Sequence, residues 1–312
     1  MSPKFFGFLT ALIVGILSGI SAEAFEYDTA AKALGSIGFY SNGCLDSESK
    51  IDGTEAGLHK LFVERNRGYG NPSMIELLVS MGSAYYDGWQ RVTPPNLPYE
   101  RIQLGDITRK GGGFLSKHAS HQTGLDVDVV YMRNDFRETR EDRGFDASFD
   151  EYFVKAKVVT KNLDAVRTWW LWRFVHRSGK VDRIFVDPSI KAYFCHHSAQ
   201  LEPDDQAERF EVLRMLRPYP EHADHFHMRL VCPSGDRKCV GSKPVPPGPG
   251  CTAKELESVP DEMGGSDHHP TFPELMLPEA PANSTPAQQQ QPSSVRRPSE
   301  CSHLASLARR RG

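Results

Sequence analysis

The sequence predicts an α+β fold: a small antiparallel sheet surrounded by helices and loops. Three observations carry that prediction. Short stretches alternate polar and apolar residues at the strand period, as in RIQLGDI (Arg101 to Ile107), LDVDVVYM (Leu125 to Met132) and HFHMRLV (His225 to Val231). Longer stretches, such as PSMIELLVSMGSAYYD (Pro72 to Asp87), place apolar residues at helical spacing. The composition, 39% hydrophobic and 25% charged over 312 residues, fits a folded core and one large domain or two small ones.

The elements follow in chain order. Lys4, the apolar run Phe5 to Ile20 and the small residues of Ser21-Ala22-Glu23-Ala24 have the layout of a secretory signal peptide, cleaved after Ala24. The alternative, a retained anchor, is opposed by the run's length, short of the roughly 20 residues that span a bilayer. Export leaves no stable membrane anchor after cleavage. The helix from Pro72 and the strand from Arg101 lead to a glycine-rich loop, TRKGGG (Thr108 to Gly113), and then to the strand at Leu125. Arg133 to Glu151 is charged and poorly periodic and reads as a surface loop or insertion. Asn162 starts a helix that Gly179 stops. Val181 to Val186 is a strand, Asp187-Pro188 opens the next helix, Asp204 to Leu216 is amphipathic, and the strand at His225 closes the series. From Lys243 the chain turns rich in Pro, Gln and Ser and reads as a mostly disordered tail.

Charge and cysteines narrow the function. Lys+Arg (37) falls below Asp+Glu (40), so there is no basic footprint for nucleic acid. Cys44, Cys195, Cys232, Cys239, Cys251 and Cys301 are six cysteines in an exported chain, which suggests three disulfides. None forms a CxxC pair, against a zinc ribbon. Cys232 and Cys239 are close enough to pair locally around Pro233-Ser234-Gly235. Cys301, inside the tail, suggests that a disulfide pins it to the body.

Two dense clusters carry the chemistry, HASHQTGLDVD (His118 to Asp128) and HADHFHMRL (His222 to Leu230). Strand parity puts His225, His227 and Arg229 on one face and Phe226, Met228 and Leu230 on the other. Asp126 and Asp128 likewise share a face. Gly124 permits a turn that folds His121 back over Asp128. Two such strands can place three ligands around one cation, and catalytic zinc typically uses three His/Asp/Glu ligands with one position open. There is no HExxH, and neither GxSxG nor SxxK points to a serine nucleophile. An exported chain with this ligand set suggests metal-assisted hydrolysis. The scattered histidines, His59, His176, His196, His197, His268, His269 and His303, read as satisfied core or surface residues.

HQTGLDVD (His121 to Asp128) resembles the HxxGxxxD motif, and HFH (His225 to His227) the HxH motif, of the lysostaphin, D-Ala-D-Ala peptidase and hedgehog-type zinc metallopeptidase group. GSIGFYSNGCL (Gly35 to Leu45), HASHQTGLDVD, RIFVDPSIK (Arg183 to Lys191) and HADHFHMRLVCP (His222 to Pro233) are more similar still to the penicillin-insensitive murein endopeptidases. The resemblance covers most of residues 30 to 255. It implies one zinc ion held by His121, Asp128 and His227 on the antiparallel sheet, with His225 as the catalytic histidine and His118 and His222 in the cleft. Asp126 resembles the family's supporting, non-ligand aspartate. The implied disulfides are Cys44–Cys301, Cys195–Cys251 and Cys232–Cys239. The implied reaction is hydrolysis of D-alanyl–meso-diaminopimelyl cross-links in peptidoglycan, insensitive to β-lactams because no serine is acylated. Arg133 to Lys157 departs from the family pattern, so a second metal ion at a dimer interface is not carried over, and the choice between monomer and homodimer stays open. The expected organisation is a signal peptide (1–24), a metallopeptidase domain (25–255) and a Pro/Gln-rich tail (256–312) pinned by Cys301. The rival functions are a D-Ala-D-Ala carboxypeptidase or dipeptidase and a non-catalytic, zinc-containing wall-binding module.

Overall fold

A computed structural model describes residues 35–92, 99–140, 144–257 and 298–302. The stretch expected to be a signal peptide, the bulk of the Pro/Gln-rich stretch, His268, His269 and His303 lie outside the described residues. A hairpin of β1 (Gly35–Phe39) and β2 (Asn42–Asp46) comes first, followed by β3 (Leu58–Lys60), a 3-10 turn at Val63–Arg65, and α1 (Pro72–Val92). Next come β4 (Ile102–Leu104), β5 (Asp126–Val130), a small hairpin of β6 (Val154–Lys155) and β7 (Val158–Val159), and α2 (Ala165–Arg177). The last part holds β8 (Val181–Val186), α3 (Pro188–Leu201), α4 (Gln206–Met215), β9 (Leu216–Pro218), β10 (His225–Leu230) and α5 (Ala253–Glu257). No helix among the described residues is long and apolar enough to cross a membrane.

The main sheet is larger and less uniform than the small antiparallel sheet expected. Its order is β3-β4-β5-β10-β8-β9. The four central strands pair antiparallel, but β3 with β4 and β8 with β9 run parallel. Both added edge strands are three residues long, too short to show a period of two. The core lies between sheet and helices, where Val127, Val129, Phe226 and Met228 meet Trp169, Trp172 and Phe194. Aromatic packing is dense here, with Trp172 and Phe194 ring centroids 4.6 Å apart.

Helix boundaries follow capping chemistry. The side chain of Asp164, not Asn162, accepts the Arg167 N–H and caps α2. Asp187 caps α3 with Pro188 in its first turn, as the sequence suggests, and Asp205 caps α4. The three disulfides implied by the resemblance are present, Cys44–Cys301, Cys195–Cys251 and Cys232–Cys239.

Arg133 to Glu151 is a surface loop, as expected, and most of its described residues are exposed or half-buried. Its first residue, Arg133, is 1% exposed and binds Asp135 and Asp150 at 3.0 Å each, which anchors the loop to the body. One sequence expectation is corrected: PVPPGPG (Pro244 to Gly250) is not loose tail. The carbonyl of Lys243 just before it accepts from Arg183 at 2.5 Å, that of Pro249 accepts from the buried Lys191 at 2.6 Å, and Cys251 follows in its disulfide. A Pro/Gly run has few side chains for a core, but its carbonyls satisfy buried cations.

Candidate active site

The site begins with the pairing of β5 and β10, where His227 lies opposite Asp128 and Arg229 opposite Asp126. The polar faces expected from parity therefore meet. Asp126, fully buried, organises them. Its Oδ1 accepts from His227 Nε2 and Arg229 Nε at 2.8 Å each, and its Oδ2 accepts the His121 backbone N–H at 3.1 Å. Burial opposes its charge, but Arg229 and then His227 outweigh that and hold the carboxyl far below the usual range.

His121 is brought over this floor by the expected turn. Gly124 has φ 74°, and a Cβ there would stand 2.8 Å from the backbone N of Asn71. His121 itself has φ 62°, a left-handed conformation held by its bond to Asp126. Its Nδ1–H donates to the Ile107 carbonyl at 2.8 Å, which turns Nε2 to within 3.2 Å of Asp128 Oδ1.

The other histidines follow one rule: one ring nitrogen donates to a fixed acceptor and the second is left for the cleft. His227 gives Nε2–H to Asp126, leaving Nδ1 3.8 Å from Asp128. His118 gives Nε2–H to Asp106 at 3.0 Å, leaving Nδ1 3.7 Å from Asp128. His225 gives Nδ1–H to Asp224 at 2.6 Å, leaving Nε2 3.6 Å from Asp128. His222 gives Nδ1–H to the Pro220 carbonyl at 2.8 Å. Metal-binding histidines are oriented in this way by carboxylate and carbonyl partners.

The charge pattern singles out Asp128. Asp126 is matched by Arg229, and Asp106 by Arg67 at 2.8 Å and Arg65 at 3.2 Å. Among the described residues, the ion-pair partners of Asp128 are all histidines. Burial opposes its ionisation, but the histidines, His121 foremost, hold its carboxyl well below the usual range. Its Oδ1 and Nε2 of His121 are both buried without a hydrogen bond. Two buried acceptor atoms 3.2 Å apart call for a cation or a proton between them. In the ion-free protein a proton answers that demand. Burial works against a charged His121, yet the Asp128 carboxylate raises its pKa to about 9. Burial lowers His227 to about 4 and, with His225 beside it, His222 to about 3, so both rings stay neutral and able to offer lone pairs. The residues thus fit a metal ion. His118, His121 and Asp128 bring one donor atom each to within 4.8 Å of one another. His227, also expected as a ligand, approaches the same carboxylate from β10.

All seven expected site residues are therefore gathered here. Asp128 and the five histidines line a cleft of about 300 Å³, while Asp126 lies behind His227. Phe62, Arg65, Phe149 and Tyr219 form further parts of its wall. Sequence reasoning missed Asp106, Asp224 and Phe149, whose ring lies 4.7 Å from that of His225. Asp224 sits inside the second cluster and Asp106 lies just past β4, within the stretch Arg101 to Ile107, but neither carries a motif.

The site and fold define a class: an α+β protein with a His/Asp centre, suited to a metal ion, at the floor of an open cleft. The family described as penicillin-insensitive murein endopeptidase matches residues 36–305, and the chain belongs to it and is a peptidase. It is 29% identical over 253 residues to a penicillin-insensitive murein endopeptidase of Klebsiella pneumoniae (strain 342), covering 80% of this chain and 86% of that relative. It is 33% identical over 246 residues to one of Haemophilus influenzae (strain ATCC 51907 / DSM 11121 / KW20 / Rd), covering 77% and 80%.

Proposed function

We propose that this peptidase is a zinc-dependent murein DD-endopeptidase that hydrolyses D-alanyl–meso-diaminopimelyl cross-links and is insensitive to β-lactams. Within that reading it is exported to the periplasm by a signal peptide at residues 1–24. Its catalytic domain spans 25–255, and Cys301 ties the tail, 256–312, to the domain. The observation that carries the zinc reading is the buried pair of His121 Nε2 and Asp128 Oδ1, 3.2 Å apart and with no other hydrogen-bond partner. His121, Asp128 and His227 would hold the ion, a donor set that suits zinc.

When bound, zinc supplies an acidified water and a Lewis acid for the scissile carbonyl. The chain's own residues do the rest. Asp126 and Ile107 fix the rings of His227 and His121 so that one nitrogen of each faces the cleft. His225 handles the proton at Nε2, because its Nδ1–H is committed to Asp224. Burial opposes its charge, but Asp128 and then Asp224 raise its pKa, which favours proton uptake. His222, kept neutral, and His118, held by Asp106, line the path of the peptide. Phe149 packs against the His225 ring, with the centroids 4.7 Å apart.

The test is product analysis on cross-linked muropeptide dimers. Conversion to monomers that a chelator abolishes and zinc restores supports the proposal. Release of only terminal D-Ala, or wall binding without hydrolysis, refutes it. Zinc content then assigns the ligands: His227→Ala should lose the ion and His118→Ala should keep it.

A further inference from the structure

Arg65 ends the 3-10 turn, which is flanked by Phe62 and Asn66, both in the left-handed conformation, and its side chain is only 9% exposed. The guanidinium stacks on the Phe62 ring, 3.8 Å from its centroid. All three of its nitrogens are used. Nε donates to the Phe145 carbonyl at 2.8 Å, one terminal nitrogen donates to the Ala147 carbonyl, and the other donates to Asp106 at 3.2 Å. Phe145 and Ala147 belong to the stretch that ends in Phe149. The Phe149 ring packs on Phe62 at 5.5 Å and on His225 at 4.7 Å. One planar group therefore ties a wall of the cleft to the carboxylate that holds His118.

We propose that Arg65 is a positioning residue for the substrate peptide: it sets the distance between the wall Phe145–Phe149 and the histidine floor, and so the width of the cleft. The proposal rests on the murein-endopeptidase reading of the same site. Its effect falls on binding and not on the chemical step. Asp106 keeps Arg67 at 2.8 Å and His118 at 3.0 Å without Arg65, so the floor stays assembled. The wall loses both of its carbonyl anchors to Arg65. Lysine does not replace it, because an ammonium lacks the planar fork that reaches three acceptors in fixed directions.

The experiment compares Arg65→Ala and Arg65→Lys with wild type on cross-linked muropeptide dimers, together with zinc content and amide exchange at residues 145–149. Both variants should raise KM by about tenfold or more with kcat within about threefold. Zinc content should match wild type, and exchange at 145–149 should quicken. A lysine variant indistinguishable from wild type, a loss confined to kcat, or a loss of zinc overturns the proposal. If Arg65→Ala does not fold, the lysine variant alone decides. Wild type that fails to cleave dimers refutes the endopeptidase reading instead, and the exchange comparison still decides whether Arg65 holds the wall: unchanged exchange at 145–149 overturns it.

Discussion

His227 and Asp126 share a hydrogen bond of 2.8 Å between Nε2 and Oδ1, and Arg229 donates to that same oxygen. The bond fixes which nitrogen of His227 faces Asp128. Asp126→Ala should therefore weaken zinc binding by about 10–100-fold while leaving all three proposed ligands in place. It also leaves Arg229 buried without this carboxylate, so stability should fall as well, by about 3–5 kcal/mol. Asp126→Asn, which retains a carbonyl acceptor, should lose less of both. Competition with a chromogenic chelator measures the affinity, and urea unfolding measures the stability.

Cys44 and Cys301 join residues 257 apart in sequence. Cys44 sits in β2 and packs with Ile37 and Cys301 in a small cluster separate from the main core. Removing the bond with Cys301→Ser should cost about 2–5 kcal/mol of stability, chiefly by freeing the unfolded chain. The site lies on β5 and β10, outside this cluster, so kcat should stay within about twofold below the melting transition. Thermal unfolding and dimer hydrolysis on the same sample check both halves.

What is legible in the sequence and what is not divide along physical lines. Parity in LDVDVVYM and HFHMRLV predicts the two central strands and which residues share a face, and the pairing of His227 with Asp128 agrees. Parity succeeds there because the site's strands alternate a polar and an apolar face. The edge strands β3 and β9 are invisible to it, since three residues make no pattern and their parallel pairing is a tertiary fact. The charge density from Arg133 to Glu151 marks the surface loop, but it does not show that Arg133 at its start is buried among carboxylates. Asp106 escapes notice because its partners, Arg65, Arg67 and His118, are distant from it in sequence and meet only in the fold.

Gly124 stands where backbone conformation and space both demand glycine. Its φ is 74°, and the Cβ of an alanine would lie 2.8 Å from the Asn71 nitrogen, so Gly124→Ala meets backbone and not a flexible side chain. The change should destabilise the protein by more than about 1 kcal/mol. It should also displace His121, whose backbone N–H and ring are both fixed by bonds across this turn. Lower zinc affinity alongside a lower melting temperature is the expected result, and affinity unchanged in the folded fraction would show that the turn does not place His121.

Lys191 is fully buried, with Nζ donating to the carbonyls of Leu213 at 2.5 Å and Pro249 at 2.6 Å. Burial foremost, then the nearby Arg217, lowers its pKa to about 7 from 10.5. Between those two values the unfolded chain binds more protons than the folded one, so this residue makes stability rise with pH. The cost of its buried charge is complete below about pH 7 and is relieved as pH climbs towards 10.5. Lys191→Met removes the titration and also leaves two carbonyls without their donor. Relative to wild type, the variant should lose ground steadily from pH 7 to pH 10, by more than about 1 kcal/mol over the interval. Urea unfolding of both proteins at each pH reads this directly, and parallel stability curves would mean that Lys191 stays charged throughout.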